Sequence, residues 1–169
     1  MGDLTGIPLL KFSSDTGARA INALLGEPEF IRVRGTDPDI LDVAIIGAGV
    51  AGVAAAIQAK KIGLTFVIFE ATEIFSTVAN FPKGKPIYTY PTEMTPEGDL
   101  QFKAEVHPKE ELLETMEARR KEAGIEVNFA RIERLERKGG LLLLHHGDKK
   151  TITRARRAII AIGRSGNHR

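Results

Sequence analysis

The sequence predicts an α/β fold: a mostly parallel sheet with flanking helices and a small antiparallel β-meander. Three observations predict it. Two apolar runs, residues 43–46 and 65–69, bracket a glycine turn and a segment of small residues with helical character. Three short β-like runs separated by glycine turns come after Phe129. A last apolar run, residues 158–162, stops at Gly163. Strand–helix–strand alternation forces parallel pairing through a crossover, whereas runs joined by tight turns pair antiparallel.

The composition bounds the problem. A chain of 169 residues, 43% hydrophobic and 27% charged, fits one domain with a sizeable core. The formal net charge of +2 gives no global drive toward nucleic acid or membrane. Absent cysteine removes disulfides, thiolate metal sites and cysteine redox centres from these residues. The longest apolar run, residues 43–57, has 15 residues with three glycines, too short and too broken for a membrane span. No basic start precedes an apolar block in the first 30 residues, and Gly6 stands where a myristoylation signal needs Ser or Thr. Cytoplasmic placement is the default expectation.

Residues 1–41 read as an N-terminal arm and linker. A short helix is expected over residues 16–25, closed by Gly26 and stopped by Pro28, with a polar linker over residues 32–39. The arm's apolar residues, among them Leu9, Leu10, Phe12 and Ile21, leave open a docking segment or a strap on its own domain. The second unit, residues 42–169, opens with D-V-A-I-I-G-A-G-V-A-G and runs on to Glu70. This is strand, tight turn, helix, strand and acid, the first half of a dinucleotide-binding unit. Gly47 lets the chain turn, Gly49 lets the backbone approach a pyrophosphate, and Gly52 keeps the helix close to the sheet. The loop Gly47, Ala48, Gly49, Val50, Ala51 and Gly52 is therefore the candidate phosphate cradle, aided by the helix N-terminus. Glu70 follows at the expected interval of about 20 residues, placed to accept hydrogen bonds from ribose hydroxyls. A carboxylate there disfavours a 2′-phosphate.

Residues 71–106 show no clear period. Residues 80–91, with three prolines and three aromatics, read as a long ordered loop, either over a ligand or at the surface. Residues 108–123 form the clearest ordinary helix: Pro108 opens it, Glu110 and Glu111 suit its positive end, and residues 119–121 are basic. Leu112 and Met116 belong to its apolar stripe. Ile125, Val127 and Phe129 alternate as a strand, followed by β-like runs over 131–137, 141–146 and 151–154. Gly139-Gly140 and Gly147-Asp148 supply hairpin turns. Residues 158–162 read as a buried parallel strand. His145 and His146 are adjacent on a strand and face opposite sides, so no metal site is expected. Arg154, Arg156, Arg157, Arg164 and Arg169 lack any nucleic-acid motif and read as a solvated or docking face.

These residues resemble the FAD domain of thioredoxin-reductase-like and pyridine-nucleotide-disulfide oxidoreductase-type flavoproteins. The fingerprint at 47–52, Glu70, the meander between Phe129 and Ala158, and the A-I-I-A-I-G ending at Gly163 carry the likeness. Ile162 stands where that family's second signature usually has Thr. The resemblance implies a Rossmann-like domain with FAD as cofactor. It implies the pyrophosphate on residues 47–52 and the adenosine ribose at Glu70, with Ala71 beside it. Adenine would then lie near Arg131 and Ile132, and the flavin side near Ile162 and Gly163. NAD(P)H is implied as electron donor, bound by a further domain that these residues lack. The chain is accordingly expected to be the incomplete FAD-holding part of a reductase, without activity of its own, and no catalytic acid or base is expected in it. The alternatives are an NAD(H)-binding domain without flavin and a non-enzymatic interaction fragment.

Overall fold

The computed structural model describes residues 9–103, 105–147 and 150–163. Two helices precede the first strand. α1 (Leu10–Leu24) starts well ahead of the expected Thr16. Ser13, Ser14 and Thr16 are weak helix formers that hide its start in the sequence. Tertiary contacts override that tendency: the Lys11 ammonium donates to the carbonyls of Pro91 (2.8 Å), Thr92 (3.1 Å) and Met94 (2.8 Å). The Ser14 hydroxyl donates to Leu100 O at 2.6 Å. α1 ends ahead of Gly26 and Pro28, as expected, and Pro28 also opens α2 (Pro28–Val33), where its missing N–H costs nothing. Arg32 and Val33, expected in a linker, are therefore helical. Ala18, Ile21 and Phe30 are fully buried, so this segment is a strap within the core.

β1 (Leu41–Ile46), α3 (Val50–Lys61) and β2 (Phe66–Glu70) form the expected strand–helix–strand unit, with Val43 opposite Phe66 and Ile46 opposite Phe69. Residues 50–59 of α3 are all buried. The helix lies between the sheet and α1, which explains its small side chains and lack of a polar face. α1 comes close to it at Gly17, where a Cβ would stand 2.2 Å from Ala51 O.

After a short helix α4 (Ser76–Ala79), the stretch expected as one loop contains β3 (Pro86–Tyr88), paired antiparallel with β4 (Val106–Pro108). Prolines sit at the ends of these strands, where no ladder donor is lost. α5 (Lys109–Glu122) buries Leu112 and Met116 and faces its charges outward. The strand expected over 125–129 shortens to β5 (Asn128–Phe129), because the Ile125 N–H is taken by Arg120 O at the end of α5 (3.1 Å) and only residues 128 and 129 pair with β2.

The main sheet has the order β5-β2-β1-β8-β7-β6, with β6 (Ile132–Lys138), β7 (Leu141–His146) and β8 (Thr151–Ile160). The two last β-like runs are one ten-residue strand. Its first half pairs antiparallel with β7 and its second half parallel with β1. Ala155 faces Leu142 on one side and Leu41 on the other, and is fully buried at the hand-over. The strand ends at Ile160, short of the expected Ile162, although the Ala161 N–H still donates to Ile46 O at 2.8 Å. Arg156 and Arg157 lie within this strand. Arg157 pairs with Glu27 at 2.7 Å and Arg156 donates to the Thr36 hydroxyl, so both tie the sheet to the segment before it. Asp148, Arg164 and Arg169 lie outside the described residues. Among the described residues no helix is long and apolar enough to cross a membrane.

Candidate functional site

The fingerprint loop is closed by contacts that leave no room for side chains at two of its glycines. Gly47 has φ +103°, and a Cβ on it would meet Ala161 O at 2.4 Å. A Cβ on Gly52 would lie 1.8 Å from Gly47 O. The third glycine differs. Gly49 caps α3 with φ −75°, which any residue adopts, and a Cβ on it would meet nothing within 4 Å. Packing does not require glycine there. Its bare side faces a cavity, so the loop is shaped for something outside the chain to approach the backbone.

Glu70, at the end of β2, is buried at 9% exposure. Its Oε2 accepts from the Ala48 N–H at 2.8 Å and its Oε1 from the Thr72 N–H at 2.9 Å. The carboxylate thus braces the fingerprint loop from within. On the other side of Ala48, its carbonyl accepts from the Phe75 N–H at 3.0 Å. Phe75 is buried with φ 56°, a left-handed conformation unfavourable for a residue with a Cβ and held here by its surroundings.

The cavity in front of α3 measures about 340 Å³, within the range of small-molecule sites. Gly49, Val50 and Ala51 form its fingerprint end, and Phe75, Val78 and Phe81 form one apolar side. Ile87, Tyr88 and Tyr90 come from the β3 arm, while Ala161 and Gly163 come from the end of β8. Tyr88 and Tyr90 stack at 5.6 Å with rings 3° from parallel, and both are more than half exposed. Lys85 brings the one charge among these lining residues, its ammonium 3.8 Å from the Phe81 ring centre.

The structure brings together Gly49, Val50, Ala51 and Gly163 on the cavity, with Gly47, Ala48, Gly52 and Glu70 behind them as the frame. Ile162 is 59% exposed and is not among the residues lining the cavity. Ala71 follows β2 as an exposed residue, and Arg131 is exposed between β5 and β6. Ile132 is half-buried against a second apolar cluster around Phe69 and Leu144. These three lie outside the cavity. The wall from Leu9, Leu10 and Ser13 was not signalled by the sequence, since no local motif marks α1 as a neighbour of the fingerprint.

The sequence profile of the pyridine nucleotide-disulphide oxidoreductases matches residues 44–163. No curated protein sequence matches the chain. Among solved structures, the bacillithiol disulfide reductase Bdr (YpdA) from Staphylococcus aureus is similar at TM-score 0.65 and 22% identity, covering 78% of this chain and 41% of that one. A ferredoxin-flavin thioredoxin reductase from Clostridium acetobutylicum is similar at TM-score 0.57 and 24% identity, over 72% and 37%. The flavin-containing monooxygenase from Stenotrophomonas maltophilia is similar at TM-score 0.60 and 20% identity, over 72% and 38%. The chain thus spans about two fifths of the length of these structures, and at such identities the likeness is one of fold.

Proposed function

This chain belongs to the pyridine nucleotide-disulphide oxidoreductase family, and on that premise we propose that it is the FAD-holding part of a flavoprotein oxidoreductase. The observation that carries this reading is Gly49: a glycine with an ordinary backbone, open space at its missing Cβ, and a helix N-terminus behind it. That is the geometry a diphosphate needs for close approach to N–H donors. The similar Clostridium and Stenotrophomonas proteins are flavin enzymes by name, which supports FAD over a nicotinamide nucleotide as the resident group.

In this reading Gly49, Val50 and Ala51 hold the diphosphate, and Glu70 keeps the loop in shape while lying near the ribose. The apolar wall of Phe75, Val78 and Phe81 with the β3 arm shields the ring system from water. The flavin, when bound, supplies the capacity to take up and pass on two electrons. The chain's own residues bind, orient and desolvate, and none is assigned to move a proton. NAD(P)H as donor, and the segment that binds it, belong to the remainder of a longer reductase or to a partner.

Reconstitution tests the reading. Purified protein mixed with FAD and desalted should retain flavin absorbance, and should bind FAD more tightly than NADH. Protein that stays colourless, or that prefers NADH, would overturn it.

A further inference from the structure

Most of the hydroxyl groups on α1 are already used. Ser14 donates to Leu100 O at 2.6 Å, and Thr16 donates back to Phe12 O at 2.8 Å within the helix. Ser13 is different. It is buried at 7% exposure, its hydroxyl has no hydrogen-bond partner among the described residues, and it lines the same cavity as Gly49, Val50 and Ala51. A hydroxyl with no protein partner, opening onto a cavity, is free to donate to a group bound there.

The direction of α1 says where that partner lies. Gly17 packs on Ala51, and further along Asn22 accepts from Gln58 Nε2 at 2.7 Å. The two helices therefore run side by side in the same direction. Ser13 lies one turn before Gly17, about 6 Å back along the axis. Since Ala51 is already in the first turn of α3, that step carries Ser13 past the N-terminus of α3, to the space where its free N–H groups point. The turn is firmly anchored: the buried Lys11 ammonium is held by three carbonyls, and the Ser13 N–H donates to Leu9 O at 2.9 Å.

We propose that Ser13 is a ligand-binding residue, donating its hydroxyl hydrogen to a diphosphate oxygen of the dinucleotide held at Gly49, Val50 and Ala51. This rests on the dinucleotide reading of the site and extends it to a helix outside the fingerprint. The first helix of the chain then supplies a wall of the nucleotide site and one of its donors. Lys11 acts as a positioning residue for that donor.

Calorimetric titration of wild type, Ser13→Ala and Thr16→Ala with FAD and with ADP-ribose tests the proposal, alongside the melting temperature of each protein without ligand. Both ligands carry the diphosphate. Ser13→Ala should weaken both by about tenfold or more, the loss of one hydrogen bond to a charged group. Its ligand-free melting temperature should stay at the wild-type value, and Thr16→Ala should bind like wild type. Unchanged affinity in Ser13→Ala would overturn the proposal, as would a loss that comes with an equally unstable ligand-free protein. Wild type that binds ADP-ribose but not FAD, with Ser13→Ala weakened, would keep Ser13 as a diphosphate donor and remove the flavin reading. Wild type that binds neither would remove both.

Discussion

Replacing Gly49 by valine separates a glycine kept for a ligand from glycines kept for the fold. At Gly49 the backbone has φ −75° and a Cβ meets nothing within 4 Å, so valine fits without strain. Its folding cost is the weaker helix cap, about 1 kcal/mol, offset by about 0.4–1 kcal/mol from a less flexible unfolded chain. The melting temperature should move by no more than about 4 °C. Binding should change far more. The isopropyl group fills the space in front of the α3 N–H groups and blocks about two charge-assisted hydrogen bonds. At about 1.5–3 kcal/mol each, FAD affinity should fall by about 10²–10⁴-fold. Gly52→Ala is the counterpart: its Cβ would stand 1.8 Å from Gly47 O, a backbone atom that has nowhere to go. That variant should lose about 3 kcal/mol or fail to fold. Thermal melts and flavin-fluorescence titrations read both effects. A Gly49→Val protein that melts normally and still binds FAD like wild type would refute the site.

Three further perturbations test other parts of the structure. Glu70→Ala should destabilise the ligand-free protein by about 1–3 kcal/mol in urea unfolding, because it strands the buried Ala48 N–H and removes the acceptor of the more exposed Thr72 N–H; an unchanged ligand-free midpoint would mean the carboxylate serves the ligand alone. Lys11→Met leaves the carbonyls of Pro91, Thr92 and Met94 without their common donor and should cost about 1–3 kcal/mol, with faster proteolysis across that loop. Glu117 has its pKa lowered by the hydrogen bond from Arg120, then by the charges of Arg120 and Lys121. Its contribution is therefore present above the ordinary value of 4.5 and lost as pH falls through the lowered one. Glu117→Gln should lower the melting temperature at neutral pH and show a smaller further drop in acid than wild type.

What could be read in the sequence was local. Val43 to Glu70 declares itself because strand, turn and helix each follow from neighbours in the chain: apolar run, glycine pair, alanine run. β8 does not, because its two halves have different partners. Residues 151–155 alternate with exposed positions along the meander, while 158–160 run apolar beside β1, and the change of pattern reads as two elements. α1 was legible only in its second half. Its first turns are built from Lys11, Ser13 and Ser14, whose helical state depends on carbonyls some 80 residues away. Separation along the chain likewise hides the cavity's α1 wall and the left-handed Phe75. No local signal marks a residue whose conformation is set by the carbonyl of Ala48.

The fingerprint loop is shaped before any nucleotide arrives. Gly47 is pressed against Ala161, Gly52 against Gly47 O, and the Ala48 N–H is tied to Glu70 while its carbonyl is tied to Phe75. Each of these contacts fixes a different side of the turn, and together they consume every direction except the one in front of Gly49. A loop held this way loses little conformational entropy on binding, so more of its hydrogen-bond energy appears as affinity. The same logic makes the loop intolerant of change behind and tolerant in front. Ligand preference can therefore shift through residues around the cavity mouth, Ser13, Lys85 and the Tyr88–Tyr90 pair among them, without disturbing the frame. Substitutions at those positions should change which nucleotide or acceptor is favoured before they change stability, whereas substitutions at Gly47, Gly52 or Glu70 should do the reverse.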